Sequence, residues 1–168
     1  METKTLTAVT YIEGFKPGYL GRIAQIHGEY YAKAWGSDTA FEAQMAHELS
    51  EFWEMYDPAI DMLLTAHIDG RLVGSIAIKG PRDAASPAQL RWFILAEESQ
   101  GHGIGRVLLE RVLNFCRDRE FKKVFLWTVT GLPQSRHLYE SVGFRVVETL
   151  HDERYVPGQI SLKFELGL

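Results

Sequence analysis

Cysteine is nearly absent: Cys116 is the single one in 168 residues, so no disulfide can form within the chain. A hydrophobic core has to hold it together. Cys116 ends the helical run Leu109 to Cys116 and reads as a buried structural thiol rather than a nucleophile. Concentrated positive charge is missing too. Eighteen Lys and Arg stand against 22 Asp and Glu, a net charge of -4, which disfavours nucleic acid as a partner because phosphate contacts need clustered cations. No apolar stretch is long enough to span a bilayer, and Met1 to Leu6 lacks the hydrophobic region of a signal peptide. The expectation is a soluble, cytoplasmic protein with no membrane partner. The six histidines, His27, His47, His67, His102, His137 and His151, pair with no Cys, acid or second His at ligand spacing, so no metal is expected.

What is present suits one domain over residues 1–168, with 46% hydrophobic residues to fill a core. Leu6 to Ile12 reads as a first strand. Leu20, Ile23, Ile26, Tyr30, Tyr31 and Ala34 recur at helical spacing up to Trp35-Gly36. Ser37 or Asp38 can cap a second helix through Phe41, Met45, Leu49, Phe52 and Tyr56 to Asp57-Pro58. Asp69-Gly70 between two apolar runs, Met62 to Ile68 and Arg71 to Ile78, is a hairpin signal. A strand at Ala88 to Leu95, a helix to about Arg119 and a strand at Val124 to Val129 follow. Pro133 opens a short helix ended by Gly143. Phe144 to Leu150 and Gln159 to Leu166 alternate as strands around a polar loop containing Pro157-Gly158.

Leu90 to Leu109 organises the rest. The apolar run Leu90-Arg91-Trp92-Phe93-Ile94-Leu95 leads through Gln100-Gly101-His102-Gly103-Ile104-Gly105 into the helix that opens at Arg106-Val107-Leu108-Leu109. Backbone N–H groups at such a turn have no partner within the helix, and the helix dipole adds partial positive charge, so the turn reads as a pyrophosphate cradle. No Lys-Ser or Lys-Thr follows, as a triphosphate loop requires, and the glycines fall at positions one, three and five rather than one, three and six of a dinucleotide fingerprint.

Gln100, Gly103 and Gly105 resemble the Gln/Arg-x-x-Gly-x-Gly/Ala signature of the GNAT family of acetyl-CoA-dependent N-acetyltransferases. Ser135-Arg136-His137-Leu138-Tyr139-Glu140-Ser141-Val142-Gly143-Phe144 resembles that family's later motif, a helix ending in Leu-Tyr-x-x-x-Gly-Phe that delivers a tyrosine to the thioester. Arg91 to Leu95, Leu126-Trp127-Thr128 and Arg136 to Tyr139 are also similar to the acetyltransferase domains fused to MarR-type DNA-binding domains in bacteria; this chain would be the free-standing version. The resemblance implies a single α/β (α+β) domain, a mixed sheet of about seven strands with four helices in the order βααβββαβαββ.

It also implies a site. Acetyl-CoA would enter between the strand at Ala88 to Leu95 and its neighbour at Val124 to Val129, bonding backbone near Phe93 and Leu95. Gln100, Gly101, His102, Gly103, Ile104, Gly105 and Arg106 would hold the pyrophosphate, His102 chiefly through its backbone. Tyr139 would face the departing thiolate, and Tyr30, Tyr31 and Trp35 would contact the acceptor. Glu29 through a water, Glu97 and Glu98 are candidate bases, because Gln89 stands where some members place a glutamate. Leu132 stands where many have a cofactor-contacting Asn. The expected activity is acetyl transfer to a primary amine of a small molecule, amino acid or peptide, by direct attack in a ternary complex, with no metal and with a homodimer as the family expectation. The alternative is a non-catalytic acyl-CoA-binding regulatory module.

Overall fold

Asp69 and Gly70 take left-handed φ of 51° and 76°, the conformation that a two-residue turn between right-twisted strands needs. They fold β2 (Met62–Ile68) back on β3 (Arg71–Lys79). The chain is described by a computed structural model over residues 8–151 and 158–168. Around that hairpin stand β1 (Thr10–Glu13), α1 (Tyr19–Trp35), α2 (Thr39–Glu54), β4 (Ala88–Leu95), α3 (Ile104–Asp118), β5 (Lys123–Val129), α4 (Pro133–Ser141), β6 (Arg145–His151) and β7 (Ile160–Gly167). These described elements follow the order expected from sequence and form one sheet, β1-β2-β3-β4-β5-β7-β6, antiparallel at each junction except β4–β5. The first strand starts later than expected, at Thr10; Leu6 and Thr7 lie outside the described residues, as does Pro157 of the last loop. No helix among the described residues is long and apolar enough to cross a membrane.

β2 and β3 are buried almost throughout, because helices cover both faces: α1 packs against β3 and β4, and α3 against β2 and β3. Asp38 caps α2 by accepting from the Ala40 N–H at 2.9 Å, and Phe41, Met45, Leu49 and Phe52 bury its inner stripe. Its end falls two residues short of Tyr56, whose hydroxyl instead accepts from the Leu63 N–H at 3.3 Å.

The feature that shapes the site is a bulge in β4. Ser75 pairs with Ile94 but Ala77 with Arg91, so a step of two residues on β3 faces a step of three on β4. Trp92 absorbs the extra residue at a left-handed φ of 47°, a conformation costing a non-glycine residue about 1–2 kcal/mol. Packing offsets that cost. The indole is buried and stacks on Phe52 at 5.1 Å, and the Arg91 guanidinium lies 4.4 Å from its centroid. The Ser75 hydroxyl donates to the Trp92 carbonyl at 2.7 Å in a buried bond. Bulges bend the strand that carries them, and β4 pairs with β5 only at Ala88–Val124 and Gln89–Phe125 before the two part. Ser75→Ala would leave the Trp92 carbonyl without that donor, at a cost of about 1–3 kcal/mol read as a lower urea midpoint. An unchanged midpoint would show that Ser75 does not hold the bulge.

Candidate active site

The glycine turn sits where β4 leaves the sheet and α3 begins, after a single 3-10 turn at Glu97–Ser99. Gly101 and Gly103 hold φ of 80° and 77°, and a Cβ on either would meet nothing within 4 Å. These two glycines serve backbone conformation, not packing. Gly105 differs: its Cβ would lie 3.4 Å from Leu95, 3.5 Å from Phe93 and 3.6 Å from Leu138, so it brings α3 close to β4 and α4. The Gln100 N–H bonds the Glu97 carbonyl and the Val107 N–H the Gly103 carbonyl. Between them, the N–H groups of residues 101 to 106 have no acceptor among the described residues. The first turn of α3 carries no acid. Six free donors at a helix N-terminus fit a pyrophosphate.

From this turn a cleft of about 870 Å³ runs into the gap where β4 and β5 part. Its floor is Gln89 to Leu95 and Leu126 to Val129, and its α1–α2 wall is His27, Tyr30, Tyr31, Phe41 and Met45. Beyond their two paired positions the strands leave backbone donors and acceptors facing one another across the gap, which suits an extended chain bearing amides.

Of the residues read from sequence, Phe93, Leu95, Gln100, Gly101, Gly103, Gly105, Arg106, Tyr30, Tyr31 and Tyr139 line this cleft together. Gln100 also donates to the Leu95 carbonyl at 3.3 Å, and Arg106 to the Ser141 hydroxyl at 3.2 Å. The His102 side chain is exposed and Ile104 is buried in the core; neither lines the cleft. Gln89 and Leu132 line the cleft.

The carboxylates named as candidate bases do not line it. Glu29 is exposed and accepts from Gln25 at 2.8 Å, one turn away along α1. Glu97 is held by Lys33 at 2.5 Å, and Glu98 is exposed. Trp35 stands behind the wall: its ring lies 5.1 Å from Tyr31, and its indole N–H donates to Gln159 at 2.8 Å when the Gln159 amide is turned to donate to Thr130.

Tyr139 is 5% exposed, set among Phe93, Phe144 and Phe164 at 6.0, 5.9 and 5.6 Å between ring centroids. Its hydroxyl has no hydrogen-bond partner among the described residues. Burial pushes its phenol well above the usual value, and the Tyr31 phenol adds to the shift. Tyr31, stacked on Phe41 at 4.4 Å, is itself pushed up to about 12 by burial and by Tyr30. Cys116 is buried, and burial pushes its thiol up to about 12, so it is no nucleophile.

Sequence reasoning passed over His27. It lies on the wall one turn before Tyr31, with Nδ1 2.8 Å from the Ile23 carbonyl oxygen. Its signal was the spacing Ile23, His27, Tyr31, one helical stripe that turns inward.

Known proteins share this architecture. The structure superposes on a Streptococcus agalactiae acetyltransferase with a TM-score of 0.71 over 95% of this chain and 98% of that one, at 23% identity. A Salmonella typhimurium acetyltransferase solved with its cofactor acetyl-CoA gives 0.73 over 96% and 95%, at 16% identity. In sequence the chain is 28% identical over 131 residues to the camello protein of Xenopus tropicalis, named a probable N-acetyltransferase, covering 76% of this chain and 54% of that one. It is 30% identical over 112 residues to the mycothiol acetyltransferase of Rhodococcus jostii, covering 64% and 36%. The chain thus spans about half the length of the first of these relatives and about a third of the second. The model of the acetyltransferase (GNAT) family matches residues 21–144, and with that match the chain belongs to this family.

Proposed function

We propose that the chain binds acetyl-CoA along the glycine turn and the β4–β5 gap and transfers the acetyl group to a primary amine. The observation that carries this reading is the run of six partnerless N–H groups opening directly onto a gap between parting strands. The same placement allows Gly101 to Arg106 to cradle the pyrophosphate and the backbone of Phe93 and Leu95 to bond the pantetheine amides. When bound, acetyl-CoA would supply an acetyl thioester, whose transfer forms a C–N bond and breaks a C–S bond.

Tyr139 acts at the sulfur. An ordinary phenol is already a weaker acid than a thiol by about 1.5 units, and burial widens the mismatch. Full proton donation is therefore uphill, and Tyr139 stabilises the departing thiolate as a hydrogen-bond donor. No buried thiol intervenes, since Cys116 is locked in the core, which favours direct attack over an acyl-enzyme. An amine with a pKa near 10.4 costs about 4–5 kcal/mol to deprotonate at pH 7. Apolar walls lower that pKa by disfavouring the charged form. Phe41 and Met45 supply such a wall, while Arg91 on the cleft floor is already paired with Glu48.

One observation favours the alternative of a non-catalytic acyl-CoA-binding module: Gln89, whose side chain cannot take a proton, and Leu132, whose side chain cannot hydrogen-bond, line the cleft. Release of free CoA thiol from acetyl-CoA, followed across primary amines, amino acids and peptides, separates the two. Amine-dependent release supports transfer; binding of acetyl-CoA with no release across the panel contradicts it.

Two substitutions test the parts. Tyr139→Phe is expected to lower kcat by about 10–100-fold with the acetyl-CoA Kd held within about twofold. Unchanged turnover would remove its role. Gly103→Ala forces a side chain into left-handed backbone at about 1–2 kcal/mol and is expected to weaken acetyl-CoA binding by calorimetry. An unaltered Kd would show that the turn does not hold the cofactor.

A further inference from the structure

His27 is 5% exposed yet lines the cleft. Its Nδ1 sits 2.8 Å from the Ile23 carbonyl oxygen. A carbonyl can only accept, so Nδ1 carries the proton, and in the neutral ring Nε2 carries a lone pair. The ring is neutral at physiological pH: burial pushes its pKa down to about 4, with the Arg91 charge adding to the shift. No described residue hydrogen-bonds Nε2. Among the described residues the buried side-chain polar atom left without a partner is Trp92 Nε1, so His27 Nε2 opens onto the cleft that it lines, where a donor on a ligand can reach it.

The surroundings define what carries that donor. His27 and Tyr31 stand one turn apart on α1, and Tyr31 stacks on Phe41 at 4.4 Å and 24°. Met45 follows Phe41 one turn along α2, on the same wall. These are large apolar and aromatic surfaces, and the Arg91 guanidinium beside them is paired with the Glu48 carboxylate. Such a wall binds an aromatic or aliphatic body well, and because no Asp or Glu is among the residues lining the cleft, it gives a second ammonium no carboxylate to pair with.

Resting on the acetyl-transfer reading, we propose that His27 Nε2 accepts a hydrogen bond from the N–H of the acceptor amine. We propose with it that this wall selects primary amines carried on an aromatic or apolar group over polyamines. A neutral amine that donates one N–H to Nε2 keeps its lone pair free to meet the carbonyl carbon. His27 takes no proton; it fixes the direction of attack.

The test compares His27→Asn with His27→Gln. Asn keeps a donor near the Nδ1 position for the Ile23 carbonyl but removes the Nε2 acceptor, whereas Gln places an amide oxygen near Nε2. Phenethylamine and spermidine serve as acceptors, with acetyl-CoA affinity measured on the same samples. The wild type is expected to favour phenethylamine by about tenfold or more in kcat/KM. His27→Asn is expected to lose about tenfold on phenethylamine and His27→Gln to retain most activity, both with acetyl-CoA Kd within about twofold. A His27→Asn enzyme within about twofold of wild type on phenethylamine, or a preference for spermidine, would overturn the proposal while leaving acetyl transfer intact.

Wild-type protein that binds acetyl-CoA but acetylates no amine would overturn the acetyl-transfer reading itself. ¹⁵N-histidine spectra of the wild type need no variant to fold. They are expected to show a proton on Nδ1 and a shift of the His27 Nε2 signal when phenethylamine is added with CoA. A protonated Nε2, or one that phenethylamine leaves unmoved, would contradict the assignment.

Discussion

The site depends on one buried hydrogen bond and the backbone it supports. Ser75 on β3 donates to the carbonyl of Trp92, which holds a left-handed φ that a tryptophan adopts only under constraint. The Phe52 stack and the Arg91 guanidinium both pack on the indole. With the extra residue absorbed there, β4 turns away from β5 after two paired positions. Had the parallel ladder continued to Leu95, the backbone groups that line the gap would be spent on one another. The cleft exists because that pairing stops.

A second constraint lies in the three glycines that follow, which look alike in sequence and act differently. Gly101 and Gly103 have open space around them and are needed for φ, orienting successive N–H groups outward. Gly105 has an ordinary helical conformation and is needed for proximity, since Leu95, Phe93 and Leu138 close on the position its side chain would take. Together they set a helix N-terminus with free donors against the end of the bent strand. Tyr139 completes the arrangement from α4, anchored between Phe144 and Phe164 with its ring also near Phe93.

Much of this was legible in the chain. Asp69-Gly70, Pro133 and the periodicity of α1 and α2 specify local structure strongly, and the element order followed from them. The glycine turn was legible because few backbones need three glycines between a strand and a helix. The bulge was not, because Leu90 to Leu95 is apolar throughout and period-two reasoning passes over one extra residue. Choosing Glu29 over His27 reflects a related difficulty. A carboxylate reads as chemistry and a histidine on an apolar stripe reads as core, yet His27 and Tyr31 of that stripe line the cleft while Glu29 is exposed and accepts from Gln25.

The central claim is that the free amides of the glycine turn and the parted edge of β4 are where acetyl-CoA lies. Residue-resolved amide hydrogen exchange with and without acetyl-CoA measures this directly. In the free protein the amides of residues 101 to 106 are expected to exchange fast, having no acceptor among the described residues. Addition of acetyl-CoA is expected to slow exchange at these amides and along Phe93 to Leu95, with α2 unchanged. Saturating acetyl-CoA that left these amides in fast exchange, or protected a different surface, would contradict the account.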